Sequence, residues 1–207
     1  MTRVVIILAL VNAMSSTALA DDPARSFVKD QYTKIKNILE ADQSNEGVRN
    51  KVITVLESMT DFETFGRLTM KRYWPDMSKA QKKTFIKWFR QLVHRSYVRR
   101  FKANNRFEHK FRGITQTKGD KAFVRTQVQS GNTRADVDYK LSKRGGKYMV
   151  YDIVIDEVSL MRNYRKQFRT ILKKDCGPKR FCRKGLTELI DRIQRKVSTK
   201  SHSVESL

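Results

Sequence analysis

Between Pro23 and Ala41 apolar side chains recur every three to four residues (Val28, Tyr32, Ile35, Ile38, Leu39), a spacing that predicts an amphipathic helix. Asn45 to Met59 repeats the pattern through Val48, Val52, Val55, Leu56 and Met59. A capping-box sequence, Thr60-Asp61-Phe62-Glu63, then opens a third helix that carries Phe62, Phe65, Leu68 and Tyr73 and stops near Pro75. A second box, Ser78 to Gln81, starts the longest helix, with Phe85, Phe89, Leu92, Tyr97 and Phe101 along one face. After Asn104-Asn105 the period falls to two. Ala135, Val137, Tyr139 and Leu141 alternate with charged residues in Thr133 to Ser142, and Ala122, Val124, Thr126 and Val128 alternate before them. Lys147 to Ile155 follows the turn Lys143 to Gly146, and a weaker strand lies around Phe107 to Thr115. Helical spacing returns after Ser159 (Leu160, Tyr164, Phe168, Ile171, Leu172) and again from Gly185 to Val197.

Helices, then short-looped strands, then helices predict an α+β domain with an antiparallel sheet of about four strands. A four-stranded sheet cannot hide its apolar face alone, so the N- and C-terminal helices must wrap it.

The first twenty residues read as an address. Met1-Thr2-Arg3 is a positive start, Val4 to Val11 an apolar run, and Ala18-Leu19-Ala20 a small-residue cleavage site. Export as a secreted chain follows, leaving a domain over 21–197 and a polar tail over 198–207. No apolar run reaches the roughly 18 residues of a spanning helix. In an oxidising compartment Cys176 and Cys182, the only cysteines, default to a disulfide that staples a Gly-Pro loop between two helices. A metal site or a redox pair is the weaker reading, because the spacing is not C-x-x-C and His94, His109 and His202 lie at no ligand spacing to the thiols.

Charge changes the picture further. The 207 residues carry a formal net charge of +23. Residues 79–112 hold twelve Lys or Arg against one acid, and residues 162–184 ten against one. Such a field attracts polyanions, either an anionic lipid surface or nucleic acid. On the long helix Lys82, Lys87, Arg90, Arg95 and Arg99 point in several directions, with no single stripe of cations and exposed aromatics. Together with export, this favours an anionic membrane surface over nucleic acid, which is not expected as a partner.

Catalytic signatures are missing from the sequence: there is no G-x-S-x-G, no H-E-x-x-H and no glycine-rich phosphate loop. Asp152, inside the apolar strand Tyr148 to Ile155, is the one candidate general base, and a hydrogen-bonded sheet carboxylate is its plainer reading.

Several segments in order resemble one family, the periplasmic phospholipid-binding MlaC, or toluene-tolerance, proteins. They are Asp61-Phe62, Arg67-Leu68, Arg72-Tyr73-Trp74, Ser78 to Gln81 leading to Phe85 and Phe89-Arg90, Tyr97, Val124-Arg125-Thr126, Val137-Asp138-Tyr139, Tyr148 to Asp152, Val158-Ser159-Leu160, Asn163-Tyr164-Arg165, Gln167-Phe168 and Gly185-Leu186. Where the family usually has a glycine before the Val-Ser-Leu element, this chain has Glu157.

The resemblance implies a curved, nuclear-transport-factor-like sheet wrapped by helices around a deep apolar pocket. It also implies a non-enzymatic, monomeric carrier in the periplasm of a Gram-negative bacterium, with no cofactor and phospholipid as cargo. Its partners would be an inner-membrane ABC transporter complex and an outer-membrane lipoprotein–porin complex, and its task to maintain outer-membrane asymmetry. Two acyl chains of about 15 carbons at about 0.8 kcal/mol per methylene represent on the order of 25 kcal/mol, so the carrier must offer a comparably dry interior. The candidate lining is Val124, Val137, Tyr139, Tyr151 and Ile153 from the strands, facing Leu68, Tyr73, Phe89, Tyr97, Val158 and Met161. The alternatives are a small-molecule enzyme using Asp152 and a basic adaptor for anionic surfaces or nucleic acid.

Overall fold

The structure, a computed structural model, describes residues 22–41, 44–176 and 181–199. Its helices are α1 (Pro23–Ala41), α2 (Asn45–Met59), α3 (Phe62–Met70), α4 (Lys79–Tyr97), α5 (Leu160–Cys176) and α6 (Arg183–Ser198). The strands are β1 (Glu108–Phe111), β2 (Gln116–Lys118), β3 (Lys121–Val124), β4 (Thr126–Ser130), β5 (Thr133–Arg144), β6 (Lys147–Ile155) and β7 (Val158–Ser159). The proposed export segment and the tail beyond residue 199 lie outside the described residues. Among the described residues no helix is long and apolar enough to cross a membrane.

The fold is α+β with an open antiparallel sheet, but the sheet has seven strands rather than four. The difference has a local cause. Strand β5 is twelve residues long, and β4 pairs with its first half while β3 pairs with its second. The single alternating run through residues 122–128 breaks at Arg125, and Thr126, which pairs with Phe111 of β1, stays out of the β5 ladder: its N–H donates to Asp138 Oδ1 (3.1 Å) and its hydroxyl to the Val137 carbonyl. The weak strand 107–115 shortens to β1, which pairs with β4; Gly113 at φ +62° turns the chain, and a separate short strand, β2, pairs with β3. A register shift between Lys140 and Leu141 leaves Tyr151 as an extra residue on β6, so Tyr139 pairs with Ile153 and Leu141 with Val150.

Caps explain most helix ends. Ser78 and Gln81 form the full capping box at the start of α4 (3.2 and 2.8 Å). The Thr60 box does not form. Asp61 caps α3 instead, accepting from the Thr64 N–H (2.9 Å) with Arg144 at 3.1 Å, while Thr60 bridges to Val150. A carboxylate beside a guanidinium is the stronger acceptor for a helix N-terminus. Helix α4 also ends earlier than its apolar spacing suggests: a 3₁₀ turn, Val98–Arg100, follows Tyr97, and Phe101 packs elsewhere. Cys182 caps α6 and is bonded to Cys176, tying α5 to α6.

The apolar interior forms two clusters. One joins α3, α4, α5 and α6 around Phe65, Phe85, Phe89, Tyr164 and Phe168. The other packs α1 and α2 on the sheet through Val28, Leu39, Val48, Val52, Val124, Leu141 and Val150. Ile153 touches both. Where α3 crosses α4 the helices touch at Gly66, whose missing Cβ would lie 2.3 Å from Ile86 Cδ1. Packing within the helical cluster is close. The rings of Phe62, Phe65, Phe85, Phe89 and Phe168 are at most 2% exposed, and Phe89 stands 4.9 to 5.9 Å from four of its aromatic neighbours.

Candidate functional site

Helix α3 ends on an unusual turn. Lys71 adopts φ +44°, a left-handed value uncommon for a lysine, and a 3₁₀ turn, Lys71–Tyr73, follows. The last carbonyls of any helix lack intrahelical partners. Arg165 of α5 supplies one: its Nε and Nη2 donate to the Leu68 carbonyl at 3.0 and 2.6 Å, and Nη2 lies 2.9 Å from Met161 Sδ. A guanidinium at the negative end of the helix dipole thus pins α5 against α3.

Beside that pin lies a cleft of about 460 Å³, within the roughly 300–1,000 Å³ of small-molecule sites. Met70, Tyr73 and Phe168 form an apolar floor, each at most 3% exposed. Lys71, Arg72 and Arg169 stand exposed on the rim, with Arg165 part-buried among them. No carboxylate lines the cleft. Thr69 and Tyr73 also line it, and each has a buried hydroxyl without a hydrogen-bond partner among the described residues. The Arg72 guanidinium carbon sits 5.4 Å from the Tyr73 ring centroid. An apolar floor under a cationic rim suits an amphiphile with a negative head.

Larger clefts offer different chemistry. One of about 890 Å³ between α1 and β1 is lined mainly by polar residues such as Lys36, Glu40 and Asn104. Another, of about 830 Å³ along α4, combines Trp74 and Ile86 with Lys79, Lys82, Lys83 and Lys87. Both exceed the α3–α5 cleft in size, but neither leads to a floor of buried apolar side chains.

The sequence-derived lining residues fall into three groups. Leu68, Tyr73, Phe89, Tyr97 and Met161 belong to the helical cluster, and only Tyr73 lines the cleft itself. Val124 and Tyr139 belong to the sheet cluster, with Ile153 shared between the two. Burial pushes the Tyr139 phenol up to about 12, and the neighbouring Asp138 carboxylate adds to the shift. Val137, Tyr151 and Val158 join neither cluster. Tyr151, displaced by the register shift, lines a shallow groove with Phe123 and Lys140 on the opposite sheet face. Val158 is 55% exposed. Val137 is part-buried opposite Ile155 at the far end of the β5–β6 ladder. The cleft residues absent from that lining are Thr69, Met70, Lys71, Arg72, Arg165, Phe168 and Arg169, of which the apolar pattern had marked only Phe168 as inward. The available signal was that Arg72-Tyr73-Trp74 and Asn163-Tyr164-Arg165, two words of the family resemblance, come together in space.

Asp152 is fully buried and committed to structure. Its Oδ2 accepts from Lys140 Nζ (2.9 Å) and Ser159 Oγ (2.7 Å), and its Oδ1 from the Met161 N–H (2.9 Å). Ser159 in turn accepts from the Arg162 N–H (3.1 Å) and so caps α5. The network joins β5, β6 and the start of α5. His94 lies 3.1 Å from Glu57 Oε1, at an angle that makes no hydrogen bond; burial lowers its pKa against the pull of Glu57, and Arg90 lowers it further. Among the described residues no group of His, Cys, Asp and Glu is placed to hold a metal.

Six helices wrapped on an open antiparallel sheet, with a basic-rimmed cleft against the helical core, define an α+β domain with a helix-walled site. The chain belongs to the family described as MlaC protein, whose profile matches residues 29–195. No curated protein matches the chain. Among solved structures, the fold is similar to that of a phospholipid-binding protein from Ralstonia solanacearum in complex with a phospholipid. The TM-score is 0.73 at 21% identity, covering 85% of this chain and 99% of that one.

Proposed function

We propose that this protein is an exported, periplasmic phospholipid carrier that shuttles glycerophospholipid between outer- and inner-membrane complexes and so maintains outer-membrane asymmetry. The observation that carries the reading is membership of the MlaC family over residues 29–195, supported by the likeness in fold to a protein solved with a phospholipid bound. The α3–α5 cleft fits the same chemistry.

Size bears on how cargo would be held. At about 30 Å³ per water-sized group, the cleft of about 460 Å³ accommodates about one acyl chain. A two-tailed lipid therefore parts the apolar clusters, with Ile153 at their seam. Bilayer and protein interior are both dry, so transfer between them is nearly balanced and a membrane complex need only bias it. On this reading the carrier performs no chemistry on its cargo.

The test is extraction. Protein expressed with its first twenty residues intact and purified from the periplasmic fraction is extracted with organic solvent and examined by mass spectrometry. About one two-tailed glycerophospholipid per chain is the expected result. Folded periplasmic protein with no lipid, which also takes none up from vesicles, would overturn the reading.

A further inference from the structure

The α3–α5 cleft carries a feature that a merely greasy pocket does not need. Buried polar groups in native proteins almost always find partners. The Thr69 and Tyr73 hydroxyls, on residues 1% and 3% exposed, have none among the described residues, and both residues line the cleft. Two buried donors under a rim of Lys71, Arg72 and Arg169, with no acid in the lining, match a ligand rich in acceptors and negative charge. A phosphate group supplies both, as a free ion or as part of a lipid. The apolar floor of Met70 and Phe168 favours the lipid, because a free ion gains nothing from it.

We propose that this cleft recognises the glycerophosphate portion of a two-tailed lipid and selects lipids of net negative charge. The Thr69 and Tyr73 hydroxyls donate to the ester carbonyls at the head of the acyl chains, and Arg72 and Arg169 hold the phosphate. A zwitterionic lipid brings a second, positive group toward a rim of cations and is disfavoured for that reason. Arg165 stays on the Leu68 carbonyl as a positioning residue. The proposal rests on the carrier reading.

Lipid-free protein is incubated with vesicles of equal phosphatidylglycerol and phosphatidylcholine, re-isolated, extracted and quantified by mass spectrometry. Wild type is expected to load phosphatidylglycerol about tenfold over phosphatidylcholine, equivalent to about 1.4 kcal/mol. In the Arg72→Gln/Arg169→Gln variant the ratio falls to about twofold or less while total loading holds. In Thr69→Val/Tyr73→Phe total loading drops several-fold at an unchanged ratio. Neither of these two hydroxyls has a partner to lose among the described residues, so this variant melts at or above wild type. Loading with no preference, or a preference that survives loss of both arginines, overturns the proposal and leaves the carrier reading standing. No loading of either lipid overturns both. A thermal shift of lipid-free protein by inorganic phosphate alone, equal to that given by lipid, assigns the site to the free ion and also overturns the proposal.

Discussion

Replacing Asp152 by alanine strands three donors at once: the Lys140 ammonium, the Ser159 hydroxyl and the Met161 N–H. Lys140 is the expensive one, because its side chain is only 24% exposed and its carboxylate partner fully buried. Removing one member of such a pair leaves an uncompensated charge in a poorly solvated place and costs about 3–5 kcal/mol. For a chain of this length each kcal/mol moves the melting temperature by roughly 2–4 °C, so a fall of about 6–20 °C is expected. Urea unfolding followed by circular dichroism measures the loss directly. The double variant Lys140→Met/Asp152→Leu supplies the control, since replacing both charges with apolar groups is often near neutral. It should recover most of the stability. An Asp152→Ala protein that unfolds within about 0.5 kcal/mol of wild type would refute the reasoning and return Asp152 to the list of functional candidates.

Two further perturbations follow from the geometry. His109 stacks on Tyr32 (4.4 Å) and edges onto Phe111 (4.9 Å), and desolvation lowers its pKa to about 4. The folded state then binds fewer protons than the unfolded one, so stability is present above about 6.5 and falls as pH drops toward about 4. The slope is at most about 1.4 kcal/mol per pH unit. His109→Phe keeps the stacking surface and should flatten that dependence in urea midpoints measured at pH 7.5 and 4.5; parallel curves would remove His109 as the source. Glu157 sits at φ +68° in the two-residue turn between β6 and β7, a conformation glycine adopts freely. Glu157→Gly should stabilise the fold by up to about 1 kcal/mol, partly offset by backbone entropy, and a lower melting temperature would contradict that.

Elements with a strong local signal were legible in the sequence. The apolar spacing of Pro23–Ala41 and Asn45–Met59, the Ser78 capping box and the alternation through Ala135, Val137, Tyr139 and Leu141 each depend on contacts within a few residues. The order of helices and strands determined the α+β class, and two cysteines six residues apart in a loop determined which helices are tied. Interruptions were not legible. That Thr126 stays out of the β5 ladder depends on Asp138, twelve residues away, and that Asp61 rather than Thr60 caps α3 depends on Arg144, 83 residues away.

The inward set of β6 belongs to the same class. A register shift at Lys140/Leu141 sends Tyr151 to the other face, and no period within β6 encodes it. Apolar pattern carries much of which side chains leave water: Phe89 and Met161, named from it, are buried, although Val158 is 55% exposed. Only the tertiary structure decided where polar and charged residues converge. Arg165 reaches Leu68 across 97 residues, and the two unpartnered hydroxyls and the basic rim come together only because α5 lies against the end of α3. Burial is a one-body property that local pattern can carry, whereas a binding site is a relation between distant residues that exists only once the chain has packed.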